Sequence, residues 1–248
     1  MYPGKYAEQN PDRSAFVMAA TGERVSYQEF EARSNRVAHY LADKGLGFQD
    51  HYSIFMENNN RYLESCAAGE RSGLYFTCIN SFLTSDELAY IINNSESQIL
   101  ITSMSKLEAA QEVLVQCTAI KEVLVVGAGD ADLPEGMSDF ESMLSKYPET
   151  PLERELLGAA MLYSSGTTGR PKGIVRPLPE QSPDEPLPVI GFLSGLWRYR
   201  EDMIYLSPAP LYHSAPQAAV GLTLRMGGTV VIMERFDPAD YLRFVEEY

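Results

Sequence analysis

The sequence predicts an α/β protein built around a layered parallel sheet. Short apolar segments alternate with segments of helical period, and this alternation favours parallel strands joined by right-handed helical crossovers. Polar starts of the capping-box type, such as Ser26 with Glu29, mark where helices begin between the apolar segments. The 248 residues are 45% hydrophobic and 22% charged, so the chain has ample apolar material for a packed core.

The first two thirds of the chain supply most of the predicted elements. After Ser26, apolar residues at helical spacing predict a helix that Gly45 ends. Strands are then predicted over residues 52–56, 74–79, 98–102, 122–126 and 158–163. Helices are predicted over residues 61–71, 84–94 and 106–115, and a further capped helix from Ser138.

The last third of the chain is more irregular. Residues 178–186 are rich in proline and acidic side chains, which excludes a helix interior or a central strand and predicts an exposed connection. Residues 203–206 read as a strand that two prolines end, and His213 then opens a helix of small residues. Asp237 precedes a proline and begins a last helix.

The segment behind the apolar run 158–163 has the composition of a polyphosphate-binding loop. Its glycines let successive backbone N–H groups point into one concavity, and its Ser and Thr hydroxyls add short donors. Lys172 supplies a mobile positive charge, presented behind the stiff Pro171. The candidate phosphate-binding residues are Ser164, Ser165, Gly166, Thr167, Thr168, Gly169 and Lys172.

Two other interpretations of this loop are weaker. A nucleotide-hydrolase P-loop needs Gly-Lys followed by Ser or Thr, whereas here Arg170 and Pro171 separate Gly169 from Lys172, and Gly173 stands where the magnesium-binding hydroxyl belongs. A flexible polar surface loop is the usual reading of scattered Ser and Gly. The order of residues directly behind a predicted strand favours a binding loop, since ligands of α/β sheets bind at such junctions.

Residues 163–173 resemble the phosphate-binding signature of the adenylate-forming enzymes, which include acyl-CoA synthetases, aryl-CoA ligases, luciferases and the adenylation domains of peptide synthetases. Residues 206–215 resemble the Pro-aromatic-aromatic-His segment that follows in that family. The resemblance implies that Tyr212 and His213 border the acyl pocket and the substrate carboxylate, although a lone histidine is more often structural. Lys172 and His213 are the candidate catalytic residues, and no metal ligands are assigned.

The resemblance also implies a fold and a reaction. The expected fold is the layered N-terminal domain of acyl-CoA synthetases and luciferases, with residues 52–176 in one sheet and residues 1–51 plus 191–248 in part of another. In the full enzyme, a carboxylic acid would attack ATP to give an acyl-adenylate, and CoA would then accept the acyl group. ATP, Mg²⁺ and CoA are thus expected as substrates of the full enzyme. Two alternatives stay open: transfer to a carrier-protein thiol, or a non-catalytic nucleotide-binding module.

The later motifs of that family do not occur in these 248 residues. They comprise the Tyr-Gly-x-Thr-Glu segment, the ribose-binding aspartate, the hinge and the C-terminal lysine. We therefore expect a truncated N-terminal portion that does not turn over by itself. Within it, the resemblance makes residues 178–186 a flap over the nucleotide, and a variable surface insertion is the equal alternative.

Charge and composition narrow the partners. A net charge of −14 argues against nucleic acid and against anionic membranes, because neither attracts an acidic protein over long range. Residues 204–224 are uncharged but interrupted by three prolines, so no membrane span is expected. The three cysteines, Cys66, Cys78 and Cys117, form no CxxC pair and suit free thiols in a reducing, cytoplasmic compartment. The oligomeric state stays open.

Overall fold

A computed structural model describes residues 1–164 and 170–248 of the chain. Within these ranges the helices are α1 (Gly4–Gln9), α2 (Tyr27–Asp43), α3 (Tyr62–Ser72), α4 (Ser85–Asn94), α5 (Leu107–Leu114), α6 (Phe140–Leu144), α7 (Pro188–Trp197), α8 (Ser214–Arg225) and α9 (Pro238–Glu247). The strands are β1 (Ser14–Met18), β2 (Arg24–Ser26), β3 (His51–Phe55), β4 (Tyr75–Cys78), β5 (Ile99–Ser103), β6 (Glu122–Val126), β7 (Met137–Asp139), β8 (Ala159–Ala160), β9 (Leu162–Ser164), β10 (Lys172–Ile174), β11 (Ile204–Ser207) and β12 (Thr229–Ile232).

The larger sheet has six parallel strands in the order β7-β6-β5-β3-β4-β8. Its central strands are buried on both faces, as in β5, where every residue is buried. Strands of this kind read as continuous apolar runs because helices cover both sides of a parallel sheet. The α/β class with a parallel sheet, predicted from the alternation of elements, is confirmed.

A second sheet has four strands in the order β11-β12-β1-β2, and it brings the two ends of the chain together. β1 pairs with β12 in parallel, with Phe16 opposite Val230, and pairs with β2 in antiparallel fashion. Phe16 packs edge-on against Phe30 of α2, with ring centroids 5.5 Å apart. The buried Tyr27 hydroxyl donates to the Leu224 and Gly228 carbonyl oxygens, which ties α2 to α8.

Helix α2 forms where the sequence predicted it, because its capping box and its apolar stripe are both present. The Ser26 hydroxyl accepts from the Glu29 N–H, and the Glu29 carboxylate accepts from the Ser26 N–H, so the capping box is closed. Its apolar stripe is buried and includes Phe30 and Leu41, and the chain leaves the helix through Gly45 at φ 83°. α2 packs against α3, between the two sheets.

Several details differ from the sequence-based expectations. The run 158–163 is not one buried strand: β8 ends the six-stranded sheet, and β9 turns away to pair with β10. The cap of α6 is Asp139, whose side chain accepts from the Ser142 N–H, and not Ser138. The elements α1, α7, β1, β2, β7, β10 and β12 were not predicted. No helix in the described residues is both long and apolar enough to cross a membrane.

Candidate functional site

The two ends of the candidate phosphate loop form a short antiparallel hairpin. In the register of β9 and β10, Ser164 lies opposite Lys172 and Tyr163 lies opposite Gly173. Both Ser164 and Lys172 are exposed. The hairpin therefore presents Lys172 beside the start of the loop.

Five of the seven candidate phosphate-binding residues lie outside the described residues. They are Ser165, Gly166, Thr167, Thr168 and Gly169. The structure places the other two, Ser164 and Lys172, opposite each other on the hairpin. The role of the whole set thus remains a prediction from the sequence.

Two tyrosines, Tyr163 and Tyr90, anchor the hairpin to α4. The Tyr163 hydroxyl donates to Asn94 Oδ1 at 2.7 Å, at the end of α4. The Tyr90 hydroxyl donates to the Pro171 carbonyl oxygen at 3.1 Å, and the Arg170 guanidinium lies over the Tyr90 ring at 5.3 Å. Burial, reinforced by the nearby Tyr90, raises the pKa of Tyr163, so its hydroxyl keeps the proton that it donates.

The hairpin is also fixed at its far side. The Tyr75 hydroxyl, on β4, donates to the Arg176 carbonyl oxygen at 2.5 Å. Lys172 therefore sits between two anchored points, at Pro171 and at residue 176. Anchoring of this kind limits the entropy that the lysine backbone loses when a ligand binds.

The second motif, residues 206–215, is held by a buried asparagine that the sequence analysis did not single out. Asn58 follows β3 and is 8% exposed. Its Nδ2 donates to the carbonyl oxygens of Ala209 (3.2 Å) and Met233 (2.9 Å), and its Oδ1 accepts from the Leu211 N–H (2.9 Å). The proline-containing segment after β11 cannot use its proline nitrogens as donors, so a side-chain clamp fixes its course.

The path of this segment places Tyr212 and His213 directly before the start of α8. The His213 N–H donates to the Pro210 carbonyl oxygen, and the His213 carbonyl oxygen accepts from the Gln217 N–H. The rings of Tyr212 and His213 are 4.3 Å apart between centroids. Burial raises the pKa of Tyr212. His213 is exposed, which fits a binding side chain better than a core histidine.

The two motifs meet at one cavity of about 370 Å³. It lies at the carboxyl end of β4, where ligands of parallel α/β sheets bind. Its walls are Cys78, Ile79, Asn80, Leu83, Glu87, Ile91, Tyr163, Ser164, Pro171, Tyr212 and His213. The structure thus brings the hairpin, the Tyr212-His213 pair and the end of β4 together.

The N-termini of two helices, α4 and α8, flank this cavity, and of the two only α4 is capped by side chains. At α4, the Glu87 carboxylate accepts from the Thr84 N–H and hydroxyl, and these hydrogen bonds lower the pKa of Glu87, so a fixed negative charge stands there. At α8, the His213 side chain makes no cap hydrogen bond. The first N–H groups of a helix attract anions, so the α8 side of the cavity is the better place for a carboxylate or a phosphate.

A second, mostly apolar cavity of about 320 Å³ lies on the other side of the α8 start. Residues of α7, α8 and β8 line this open cavity, among them Ile190, Leu193, Trp197 and Ala218. Gln217 lines this cavity, and its Nε2 donates to Sγ of Cys78, which lines the first one. The Gln217–Cys78 pair is therefore the wall that both cavities share.

The structure adds three residues to the site that the sequence did not reveal. They are Asn58, Cys78 and Gln217. The polar run that contains Asn58 directly after a strand was a possible signal, because polar side chains at a strand end often serve a site. Cys78 and Gln217 carry no local signal, since each depends on the other across elements distant in sequence.

The chain is similar to known proteins over nearly its whole length. The sequence profile described as AMP-binding enzyme matches residues 5–248. The chain is 28% identical over 252 residues to a medium/long-chain-fatty-acid–CoA/3-oxocholest-4-en-26-oate–CoA ligase of Mycolicibacterium smegmatis, covering 96% of this chain and 45% of that protein. It is 26% identical over 242 residues to 4-coumarate–CoA ligase 1 of Petroselinum crispum, covering 96% and 43%. The chain thus spans less than half the length of these two relatives.

Solved structures show the same fold. The crystal structure of ATP-bound MatB from Rhodopseudomonas palustris superposes with a TM-score of 0.77 at 27% identity, covering 99% of this chain and 48% of that one. A red-emitting luciferase from Phrixothrix hirtus superposes with a TM-score of 0.80 at 21% identity, covering 99% and 61%. The second likeness shows the fold alone, and it agrees with the expected acyl-CoA synthetase and luciferase architecture.

Proposed function

The chain belongs to the AMP-binding enzyme family, and we propose that it forms the phosphate-binding and acyl-binding part of a carboxylate–CoA ligase. The observation that carries the proposal is the meeting of the two motifs at one cavity, at the carboxyl end of β4. We also propose that residues 1–248 form a partial N-terminal adenylation domain in a cytoplasmic enzyme. CoA is preferred to a carrier-protein thiol because the relatives above are CoA ligases by name.

In the proposed reaction, a substrate carboxylate attacks the α-phosphorus of ATP, which enters as its magnesium complex, and pyrophosphate leaves. Lys172 and the loop residues 164–169 hold the β- and γ-phosphates and stabilise the charge that develops on the pyrophosphate. Lys172 acts as a cation and not as a base. The acyl-adenylate then reacts with the thiol of CoA, and AMP leaves.

The acyl substrate is proposed to enter with its carboxylate toward His213 and Tyr212. The uncapped start of α8 favours the negative charge there, whereas Glu87 disfavours it at the opposite wall. The apolar cavity behind Gln217 lies next to this point and suits the hydrocarbon part of a fatty or aryl acid. A largely apolar carboxylic acid is therefore the proposed substrate class.

The phosphate site can be tested on the purified chain. Calorimetric titration with MgATP, magnesium pyrophosphate and AMP should compare the wild type with Lys172→Ala. Because a hydrogen bond to a charged group contributes about 1.5–3 kcal/mol, the variant should bind MgATP and pyrophosphate about ten- to a hundredfold more weakly. AMP lacks the β- and γ-phosphates, so whatever affinity the chain has for AMP should be the same in the wild type and the variant.

Lys121→Ala is the matched control. Lys121 is also exposed, but it precedes β6 and so lies at the opposite, amino-terminal edge of the parallel sheet. Its removal changes the net charge equally and should leave the affinities unchanged. Equal losses in the two variants, or a loss in AMP binding at Lys172→Ala, would contradict the assignment.

We further propose that these 248 residues do not complete turnover on their own. Phosphate contacts alone leave the adenine, the ribose and the α-phosphate without groups to hold them as charge develops, where preorganised electrostatics matter most. The chain with MgATP, CoA and a panel of fatty and aromatic acids should release no carboxylate-dependent AMP. Robust release would overturn this proposal and leave the phosphate assignment intact.

A further inference from the structure

A pair of thiols lies at the wall between the two cavities. Cys66 belongs to α3 and Cys78 ends β4, and their sulfur atoms are 3.6 Å apart. Both are free cysteines. Cys66 is fully buried, whereas Cys78 is 6% exposed and lines the candidate substrate cavity. A small molecule that enters the cavity therefore meets Cys78 first.

We propose that Cys66 and Cys78 are a redox-active pair that a small hydroperoxide converts into an intramolecular disulfide. Cys78 loses its proton and attacks one peroxide oxygen: the S–O bond forms, the O–O bond breaks, and the departing hydroxide takes up that proton. Cys66 then attacks the Cys78 sulfur: the S–S bond forms, and the hydroxyl leaves with the Cys66 proton. Two thiols and one hydrogen peroxide thus give one disulfide and two waters.

The surroundings of Cys78 favour it as the attacking sulfur. Gln217 Nε2 donates to Cys78 Sγ at 2.9 Å, and the Cys66 thiol lies within donating distance on the other side. Burial alone would raise the pKa of Cys78, but these hydrogen bonds, that of Cys66 foremost, lower it. Burial raises the pKa of Cys66, which suits the resolving partner.

A buried tyrosine completes the cluster. Tyr62 is fully buried beside the two sulfurs, and the interaction of its hydroxyl with Cys78 also lowers the pKa of that thiol. A sulfenic oxygen on Cys78 would add an acceptor close to this donor, so the oxidised intermediate fits the cluster chemically.

The disulfide would also act on the start of α8. Bond formation shortens the sulfur separation from 3.6 Å to about 2.05 Å, so Cys78 moves toward α3. Gln217 then loses the acceptor that fixes it. Because Gln217 is the fourth residue of α8, this end of the helix, with His213, should become less protected from hydrogen exchange. This chemistry does not depend on the proposed adenylation.

The test is peroxide treatment of the purified wild-type chain, followed by alkylation of the remaining thiols under denaturing conditions and peptide mass mapping. The expected product is a monomer with a Cys66–Cys78 cross-link, a mass loss of two hydrogens, recovery with dithiothreitol, and one alkylated thiol, Cys117. Because thiolate content governs the rate, Cys78 should be oxidised about tenfold or more faster than Cys117, whose pKa burial raises.

Two variants separate the roles of the sulfurs. In Cys66→Ala, Cys78 should stop at the sulfenic acid and give an adduct with dimedone. In Cys78→Ala, Cys66 should not react. Cys117→Ser is the control and should behave as the wild type. Cross-linking between chains only, oxidation of Cys117 at the same rate, or wild-type Cys66 and Cys78 that both remain alkylatable would overturn the proposal, and the wild-type map decides even if a variant fails to fold.

Discussion

Gly158 occupies the tightest junction on the path into the candidate phosphate loop. Its N–H donates to the Glu70 carbonyl oxygen at 2.9 Å, at the end of α3, and it directly precedes β8. A Cβ atom at this position would lie 2.1 Å from the Gly69 carbonyl oxygen, 2.4 Å from the Leu74 carbonyl oxygen and 2.8 Å from the Leu74 nitrogen. All three are backbone atoms, so no side chain can rotate away to make room.

Gly158→Ala should therefore destabilise the chain strongly. Overpacking costs about 1–3 kcal/mol where side chains can adjust, and backbone atoms adjust less. Displacing β8 also strains the hydrogen bonds that Gly158 and Ala159 donate to Glu70 and Leu74, each worth about 1 kcal/mol. The expected loss is about 3–5 kcal/mol, which corresponds to a fall in Tm of about 6–20 °C for a chain of this size.

Urea unfolding followed by circular dichroism, together with thermal melting, measures this loss. Gly191→Ala is the matched control: Gly191 lies in α7, and a Cβ there would meet nothing within 4 Å. Alanine exceeds glycine in helix propensity by up to about 1 kcal/mol, so the control should be as stable as the wild type or more stable. A free energy of unfolding for Gly158→Ala within about 1 kcal/mol of the wild-type value would refute the reasoning, because it would mean that the backbone around residue 158 has room for a Cβ atom.

Three further predictions concern the charges and the site. Glu64 is buried between Arg33 and Arg61, and burial raises its pKa from 4.5 to about 7 despite both arginines. The folded state thus holds the proton more tightly than the unfolded state. The free energy of unfolding should therefore fall by up to about 3 kcal/mol as the pH rises from about 4.5 through about 7. Glu64→Gln should abolish this fall in urea unfolding at pH 5 and pH 8, and equal pH dependence in both chains would contradict it. Asn58→Ala should expose amides around Leu211 to hydrogen exchange and cost about 2–4 kcal/mol, because three hydrogen bonds are lost; unchanged exchange there would contradict the clamp. In a ligase that carries this chain, His213→Ala should change the relative kcat/KM among carboxylic acids more than the KM for ATP, and a uniform loss that follows Tm would indicate a structural role.

The elements that the sequence predicted well are those with complete local signals. The helix after Ser26 has a capping box, a periodic apolar stripe and a terminal glycine, and the structure contains each of these features. The strand at residues 122–126 is an apolar β-branched run, and β6 has these bounds. Local propensity, periodicity and end signals agree in such segments, so tertiary contacts have nothing to override.

Prediction failed where pairing decided the structure. Residues 158–163 form one apolar run, but Ala159 and Ala160 are small and close the edge of the six-stranded sheet, whereas Leu162 turns to face Ile174. β1 and β12 pair across the whole chain, which no local window shows. α7 lacks a polar face and contains two glycines, so its period is hidden.

In the candidate site, too, features with local sequence signals could be predicted and features that depend on long-range contacts could not. The residue types of the phosphate loop and of the Tyr212-His213 pair could be read from the sequence, but the residues that position them could not. Asn58 and Leu211, which are joined by a hydrogen bond, are 153 positions apart in the sequence. Gln217 and Cys78, the pair that separates the cavities, are 139 positions apart. Such pairs follow from topology, and a single sequence carries no record of them.

These long-range pairs also decide how the site responds to change. Asn58 ties the end of β3 to the segment after β11, and Gln217 ties α8 to the end of β4. Both bonds therefore join the six-stranded sheet to the connection between β11 and β12 of the four-stranded sheet. The acyl side of the cavity therefore depends on the seam between the sheets. Lys172 depends instead on the hairpin, which Tyr90, Tyr163 and Tyr75 anchor to the larger sheet and to α4. Changes that weaken the contacts between the two sheets should therefore alter the recognition of the acyl group more than the affinity for phosphate, because the two halves of the site are held by different contacts.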